Sequence, residues 1–151
     1  MAQLQLRLIK LHIDTGQIDT AKTEIHKLID SNDFIDKLAL IEIYKHLCRE
    51  RDEWTELLDI LIIEIAYLLK IPHSELKDNL DKHLHDSNIS AASNALREYA
   101  DILYHKCNRI AEAVTIYRAL INILPEHQYP KNMLKEIYEQ HPEFNTSDSD
   151  S

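Results

Sequence analysis

The chain has 151 residues, a single Gly, four Pro and a formal net charge of −9, a length that suits one domain or one short repeat array. Sheets and long loops use Gly and Pro at their turns, so their shortage points to helices joined by short connections. The acidic balance argues against nucleic acid and against an anionic membrane surface, both of which demand surplus Lys and Arg, and leaves a basic peptide or protein partner open.

The first predicted helix covers about Gln3 to Ile13, with Leu4, Leu8, Leu11 and Ile13 marking an apolar side. Asp14-Thr15-Gly16 stops it, Gly16 being the one residue that takes a left-handed conformation freely. This N-terminal stretch has no uninterrupted apolar core and no small-residue cleavage site, so it reads as structure rather than as a signal. A second helix, about Asp19 to Asp30, carries Ile18, Ala21, Ile25, Leu28 and Ile29 at three- and four-residue spacing. Ser31-Asn32-Asp33 is a turn that offers N-cap oxygens.

A third helix, about Phe34 to Glu50, has Leu38, Leu40, Ile41, Tyr44 and Leu47 at core spacing. Arg51-Asp52 is the next turn, with Asp52 as the N-cap of a fourth helix, about Glu53 to Lys70. That helix holds the sole tryptophan, Trp54, and is apolar around nearly its whole circumference. It is therefore sandwiched between neighbours or keeps a face for a partner. Its apolar run, Leu57 to Ile71, is interrupted by Asp59, Glu64 and Lys70 and is shorter than the roughly 20 residues of a membrane span.

Ile71-Pro72 leads to a shorter fifth helix, about Ser74 to Leu84, with a thin stripe of Leu76, Leu80 and Leu84 and an otherwise charged surface. Asp86-Ser87-Asn88 breaks the chain. A hairpin follows: one helix about Ala91 to Cys107 burying Ala95, Tyr99, Ile102 and Leu103, another about Ile110 to Leu124 burying Ala113, Ile116, Tyr117, Leu120 and Leu124. Pro125 ends it. A capping helix, about Lys131 to Gln140, packs with Met133, Leu134, Ile137 and Tyr138 and stops before Pro142. Residues 145–151, NTSDSDS, form a polar tail expected to be disordered.

Three segments align as helix, tight turn, helix: LIKLHIDTGQIDTAKTEIHKLI, IYKHLCRERDEWTELLDILIIEI and ADILYHKCNRIAEAVTIYRALINILP. Gly16, Arg51 and Asn108 fall at the equivalent turn position, the first two 35 residues apart, close to the ~34-residue period of tetratricopeptide repeats. The third segment resembles that family: Tyr104 stands at the first-helix aromatic, Ala113 at the small residue, Tyr117 at the second-helix aromatic and Pro125 at the terminating proline. In the first segment Gly16 and Ala21 match and Ile25 replaces the aromatic; in the second Arg51 replaces glycine and Glu56 sits at the small position. The resemblance covers about Leu4 to Pro125, with the fifth helix outside it. It implies an all-α domain over residues 1–144, in which stacked antiparallel helix pairs form a short right-handed superhelix. The concave face of that superhelix, lined by the first helix of each pair, would hold an extended or helical peptide. The carboxylate-gripping subtype of the family uses paired Lys and Asn on its first helices. Leu6 and Lys10 stand at the matching positions here, and that pattern is missing.

No catalytic or metal constellation emerges. His83 and His85, and His105 and Cys107, are two residues apart and diverge on a helix, and no HxxxH or HExxH occurs. Cys48 and Cys107 sit mid-pattern and read as buried free thiols in a reducing, cytoplasmic compartment. One glycine excludes a phosphate-cradling loop. The candidate partner-binding residues are Tyr44 and Tyr104, aromatics on first helices, Trp54, and Glu64, a carboxylate in an apolar helix that could read a basic group. The expected function is a non-catalytic protein-interaction module, an adaptor or small chaperone without cofactor or metal, holding a peptide or helix of a partner. The alternatives are a self-assembling scaffold using the fourth helix, with homo-oligomers left open, and a regulatory domain for a small ligand.

Overall fold

The computed structural model describes residues 2–30 and 36–145. Among them the chain is all-α: eight helices, α1 (Ala2–Asp14), α2 (Ile18–Asp30), α3 (Lys37–Glu50), α4 (Trp54–Leu69), α5 (His73–His83), α6 (Ser93–His105), α7 (Ile110–Ile123) and α8 (Gln128–Gln140), with 3-10 turns at Ser87–Ala92 and Pro142–Phe144 and no strand. None of the described helices is long and apolar enough to cross a membrane. The chain divides into two compact units, the first ending at Ile60 and the second beginning at Leu61, part-way along α4.

In the first unit α1 packs on α2, and α2 on α3. The core is Ile9, Ala21, Ile25, Leu40, Ile41, Leu47 and Cys48, closed by Leu57 and Ile60 from the start of α4. Leu4, Leu8 and Leu11 are not part of it. They are 63%, 47% and 56% exposed, while Ile9 is 1% exposed, so the apolar side expected of the first helix faces outward. The physical reason is that α1 carries two interleaved helical registers: Leu6, Ile9 and Ile13 also recur at three- and four-residue spacing, and it is this register that meets α2. Leu38 likewise lies at the exposed margin of α3.

The helix stops share a backbone device. Gly16 sits at φ 83° and donates to Ile13 O at 3.1 Å, while Gln17 donates to His12 O at 2.7 Å. Asp52 at φ 56° donates to Arg49 O, with Glu53 to Cys48 O; Lys70 at φ 60° donates to Tyr67 O, with Ile71 to Ala66 O. These are the paired bonds of a Schellman stop around one left-handed residue. Asn108, at φ 56°, ends a stop one residue longer, with Arg109 donating to Leu103 O. The left-handed position of the α3–α4 turn is thus Asp52 and not Arg51, and Asp52 does not cap α4. Glu53 opens that helix, its carbonyl accepting from Leu57 N–H. The same bond runs from Ala21 to Gln17 and from Ala113 to Arg109, which puts Leu57, rather than Glu56, at the position of Ala21 and Ala113.

In the described residues α3 begins at Lys37, with Asp36 Oδ1 accepting from Ala39 N–H at 3.2 Å; the expected turn at Ser31-Asn32-Asp33 and start at Phe34 lie outside the described residues, as does the tail from residue 146. In the second unit α6, α7 and α8 pack in sequence around Leu96, Leu103, Tyr117, Leu120 and Ile137. Helix α8 starts three residues earlier than Lys131 because Pro130, in its first turn, lacks an N–H that would have no helical acceptor there. Helix α5 buries Leu76 and bends at Asn79, whose side chain donates to Glu75 O. Ile89 and Ala92, which follow the break expected at Asp86-Ser87-Asn88, are buried on a 3-10 turn against α6 and α7, so that α6 begins at Ser93 rather than near Ala91.

Candidate functional site: a buried lysine cluster and an uncovered helix face

The first unit gathers its polar chemistry around Lys22, an α2 residue only 6% exposed. Its spacing from Ala21, Ile25 and Ile29 carries it onto the buried side of α2, and its stem crosses apolar surface to bring the ammonium to α4. There Nζ donates to Glu53 and, at 3.0 Å, to Glu56 Oε2. Tyr44, from α3, donates its hydroxyl to the same Glu56 oxygen at 3.0 Å and lies 3.0 Å from His26 Nε2. A phenol has one proton, and here it goes to Glu56, so His26 carries hydrogen on Nε2 and donates to the tyrosine oxygen. The His26 and Tyr44 rings meet edge-on at 4.8 Å, and the Lys22 ammonium lies 5.8 Å from the Tyr44 centroid. Arg51 joins from outside, 3.5 Å from Asp19 and 3.9 Å from Glu53.

Electrostatics hold each group in its resting protonation state. Burial alone would lower Lys22, but the bonds and charges of Glu53 and Glu56 outweigh it and keep the ammonium above its ordinary value. Burial opposes ionisation of Glu56, yet hydrogen bonds from Lys22 and Tyr44 hold its carboxyl below the usual range. Burial, with help from Glu56, pushes the Tyr44 phenol up. Burial also drives the Cys48 thiol up to about 11, against the pull of Lys22 and with the push of Glu56 and Glu53. A general base or a nucleophile needs the opposite shift, toward the operating pH. The ligand atoms of Cys48, Glu53 and Glu56 lie within 4.8 Å of one another, a cluster that could hold a cation; two of its three members already bond the Lys22 ammonium. A cleft of about 380 Å³ opens beside the cluster between Asp19, Thr23, His26, Asp59 and Ile60.

The expected site residues are placed as follows. Tyr44 is 4% exposed; its ring belongs to the core and cannot serve as a protruding anchor, and its hydroxyl edge contributes to the cleft wall. Trp54, the first residue of α4, is half-buried, as is Glu64 further along. Tyr104 is half-buried in the second unit, its ring 4.8 Å from His105 and edge-on to His141 at 6.2 Å. Burial, then Glu136, raises its phenol. Cys48 and Cys107 are free thiols; Cys48 is buried and Cys107 only half-buried. The apolar circumference of α4 is largely buried, from Leu57 to Leu69, with Tyr67 its large exposed ring.

Residue-by-residue sequence reasoning missed Lys22, because a lysine within an amphipathic helix reads as solvated surface; the signal was its register with Ala21, Ile25 and Ile29. It also missed the openness of Leu4, Leu8 and Leu11. These three form a stripe two turns long on the side of α1 turned away from Ile9, with Arg7 and Lys10 exposed along one edge. Comparison of the chain with family models, with curated proteins and with solved structures yields no match.

Proposed function

We propose that this chain is a non-catalytic protein-interaction module, an adaptor or small chaperone, which holds a helix of a partner protein. The observation that carries the reading is the exposed Leu4–Leu8–Leu11 stripe. A helix apolar on two opposite faces is suited to lie between two layers, and only one face of α1 is covered by α2. The protonation states around Lys22 support the non-catalytic part, since they stabilise the groups in their inert forms. A tetratricopeptide-like stacking of the helix pairs belongs to the same reading. Its support is the recurrence of one left-handed residue at Gly16, Asp52 and Asn108, each followed by a residue that opens the next helix. A reducing, cytoplasmic setting accords with the two free thiols.

Self-assembly through α4 has less to stand on, because the residues it would use are largely buried within the chain. The test is affinity capture from native lysate with the wild-type chain and with Leu8→Glu. Position 8 is exposed, so circular dichroism should be unchanged while the captured protein is lost. An unchanged capture by Leu8→Glu removes α1 from the proposal. Light scattering that finds concentration-dependent oligomers in both proteins supports the scaffold instead.

A further inference from the structure

The partner's chemistry follows from the edge of the stripe. In the first unit Lys22, Lys27, Lys45 and Arg51 each have an acidic partner, whereas Arg7 and Lys10, like Lys37 on α3, have no ion-pair partner among the described residues. Arg7 lies three residues from Leu4 and four from Leu11 at the edge of the stripe, and Lys10 lies one turn on, four residues before Asp14, the only acid of α1. A chain of net charge −9 therefore presents a local basic edge against its open apolar face. Charges on the rim of an apolar contact set partner choice and encounter rate.

We infer that this face docks one amphipathic helix that carries acidic residues along the edge of its own apolar stripe, and not a second copy of this chain. The inference rests on the interaction-module reading and specifies its ligand. Size argues for a single helix. Leu4 to Leu11 spans about 10 Å at 1.5 Å per residue, an apolar patch of order 300 Å², whereas a stable protein–protein interface buries about 800 Å² on each side. Charge argues against a second copy. A two-fold antiparallel pairing on these leucines sets its axis between Leu4 and Leu11, and residues near such an axis meet their own counterparts. Arg7 lies there, so two like guanidinium groups would oppose each other. An anionic membrane would attract Arg7 and Lys10 but repel the rest of an acidic chain.

The test uses the purified full chain and two synthetic helical peptides with identical leucine stripes, one flanked by glutamates and one by lysines, read by fluorescence anisotropy at low and high salt. The acidic peptide should bind more tightly than the basic one by at least about tenfold, and the preference should shrink with salt. Arg7→Glu/Lys10→Glu should reverse it, and Leu8→Glu should abolish binding of both. If both peptides bind equally and Leu8→Glu abolishes both, the charge inference fails and the interaction module stands. If Leu8→Glu changes neither, or neither peptide binds, both fail. A concentration-dependent dimer by analytical ultracentrifugation that Leu8→Glu dissolves, or flotation with phosphatidylserine vesicles that Arg7→Glu/Lys10→Glu abolishes, overturns the acidic-helix assignment.

Discussion

Lys22 is stabilising only as a member of a set. Its ammonium neutralises Glu53 and Glu56, and those carboxylates in turn satisfy the ammonium and Tyr44. Removing one partner from a buried ion pair costs about 3–5 kcal/mol because the other charge is stranded. Here the Glu56 side chain is 44% exposed and keeps part of its hydration. Lys22→Met should therefore destabilise by about 2 kcal/mol in urea unfolding, and adding Glu53→Gln and Glu56→Gln should restore part of that loss. The pH dependence follows from the same residues. Glu56 is depressed in the folded state, so its contribution is present above the unfolded carboxyl range, near 4.3, and disappears as pH falls through its folded value. Burial raises Cys48 to about 11 from its ordinary value of 9.0. Between these values the unfolded chain releases a proton that the folded chain keeps, so stability falls as pH rises from about 9 to 11. Cys48→Ala should make that alkaline slope shallower in a pH series of urea melts, the raised phenols of Tyr44, Tyr117 and Tyr129 supplying the rest of it, and should leave the acid limb unchanged.

At the scale of the element, the helix stops carry conformational cost. Asp52 and Lys70 hold positive φ without being glycine, a conformation that costs an L-residue roughly 1–2 kcal/mol. Asp52→Gly and Lys70→Gly should each stabilise the chain by about 1 kcal/mol, less whatever the glycine adds to unfolded-state entropy. Gly16 has φ 83° and open space where a Cβ would sit, so Gly16→Ala should cost about 1 kcal/mol from the backbone alone. Thermal melts of the three variants check the signs. The position of these stops was legible in the sequence to within one residue. Gly16 and Asn108 announce themselves chemically, but Arg51 and Asp52 do not differ enough in local preference to say which one turns left-handed. The hydrogen bond from Glu53 N–H to Cys48 O decides it. That one-residue shift also moves Glu56 out of the packed position and into the Lys22 cluster.

For the whole molecule, the relevant quantities are an acidic charge and the uncovered Leu4–Leu8–Leu11 stripe. The net charge of −9 at pH 7 falls to zero near pH 5.4, where self-repulsion no longer keeps exposed leucines apart. Solubility of the wild-type chain should pass through a minimum there, and Leu8→Glu should be more soluble at the same pH. Turbidity against pH for both proteins tests this. The two compact units are each built from the same kind of part, helices closed by tight stops, so the all-α class was readable from the scarcity of glycine and proline together with three- and four-residue spacing.

Periodicity and composition are local properties, and they were enough to locate eight helices, most of the buried residues of α2, α3, α6, α7 and α8, and the free state of the thiols. They could not choose between the two apolar registers of α1, because Leu4–Leu8–Leu11 and Leu6–Ile9–Ile13 satisfy the same helical spacing and only contact with α2 tells them apart. Nor could they place Lys22 beside Glu53 and Glu56, more than thirty residues away, since an ion pair between helices depends on how those helices cross. What the sequence determined by itself was the set of helices and their turns. The tertiary structure alone decided which leucines stay in water and which charges meet, because both depend on the one neighbour each helix face acquires.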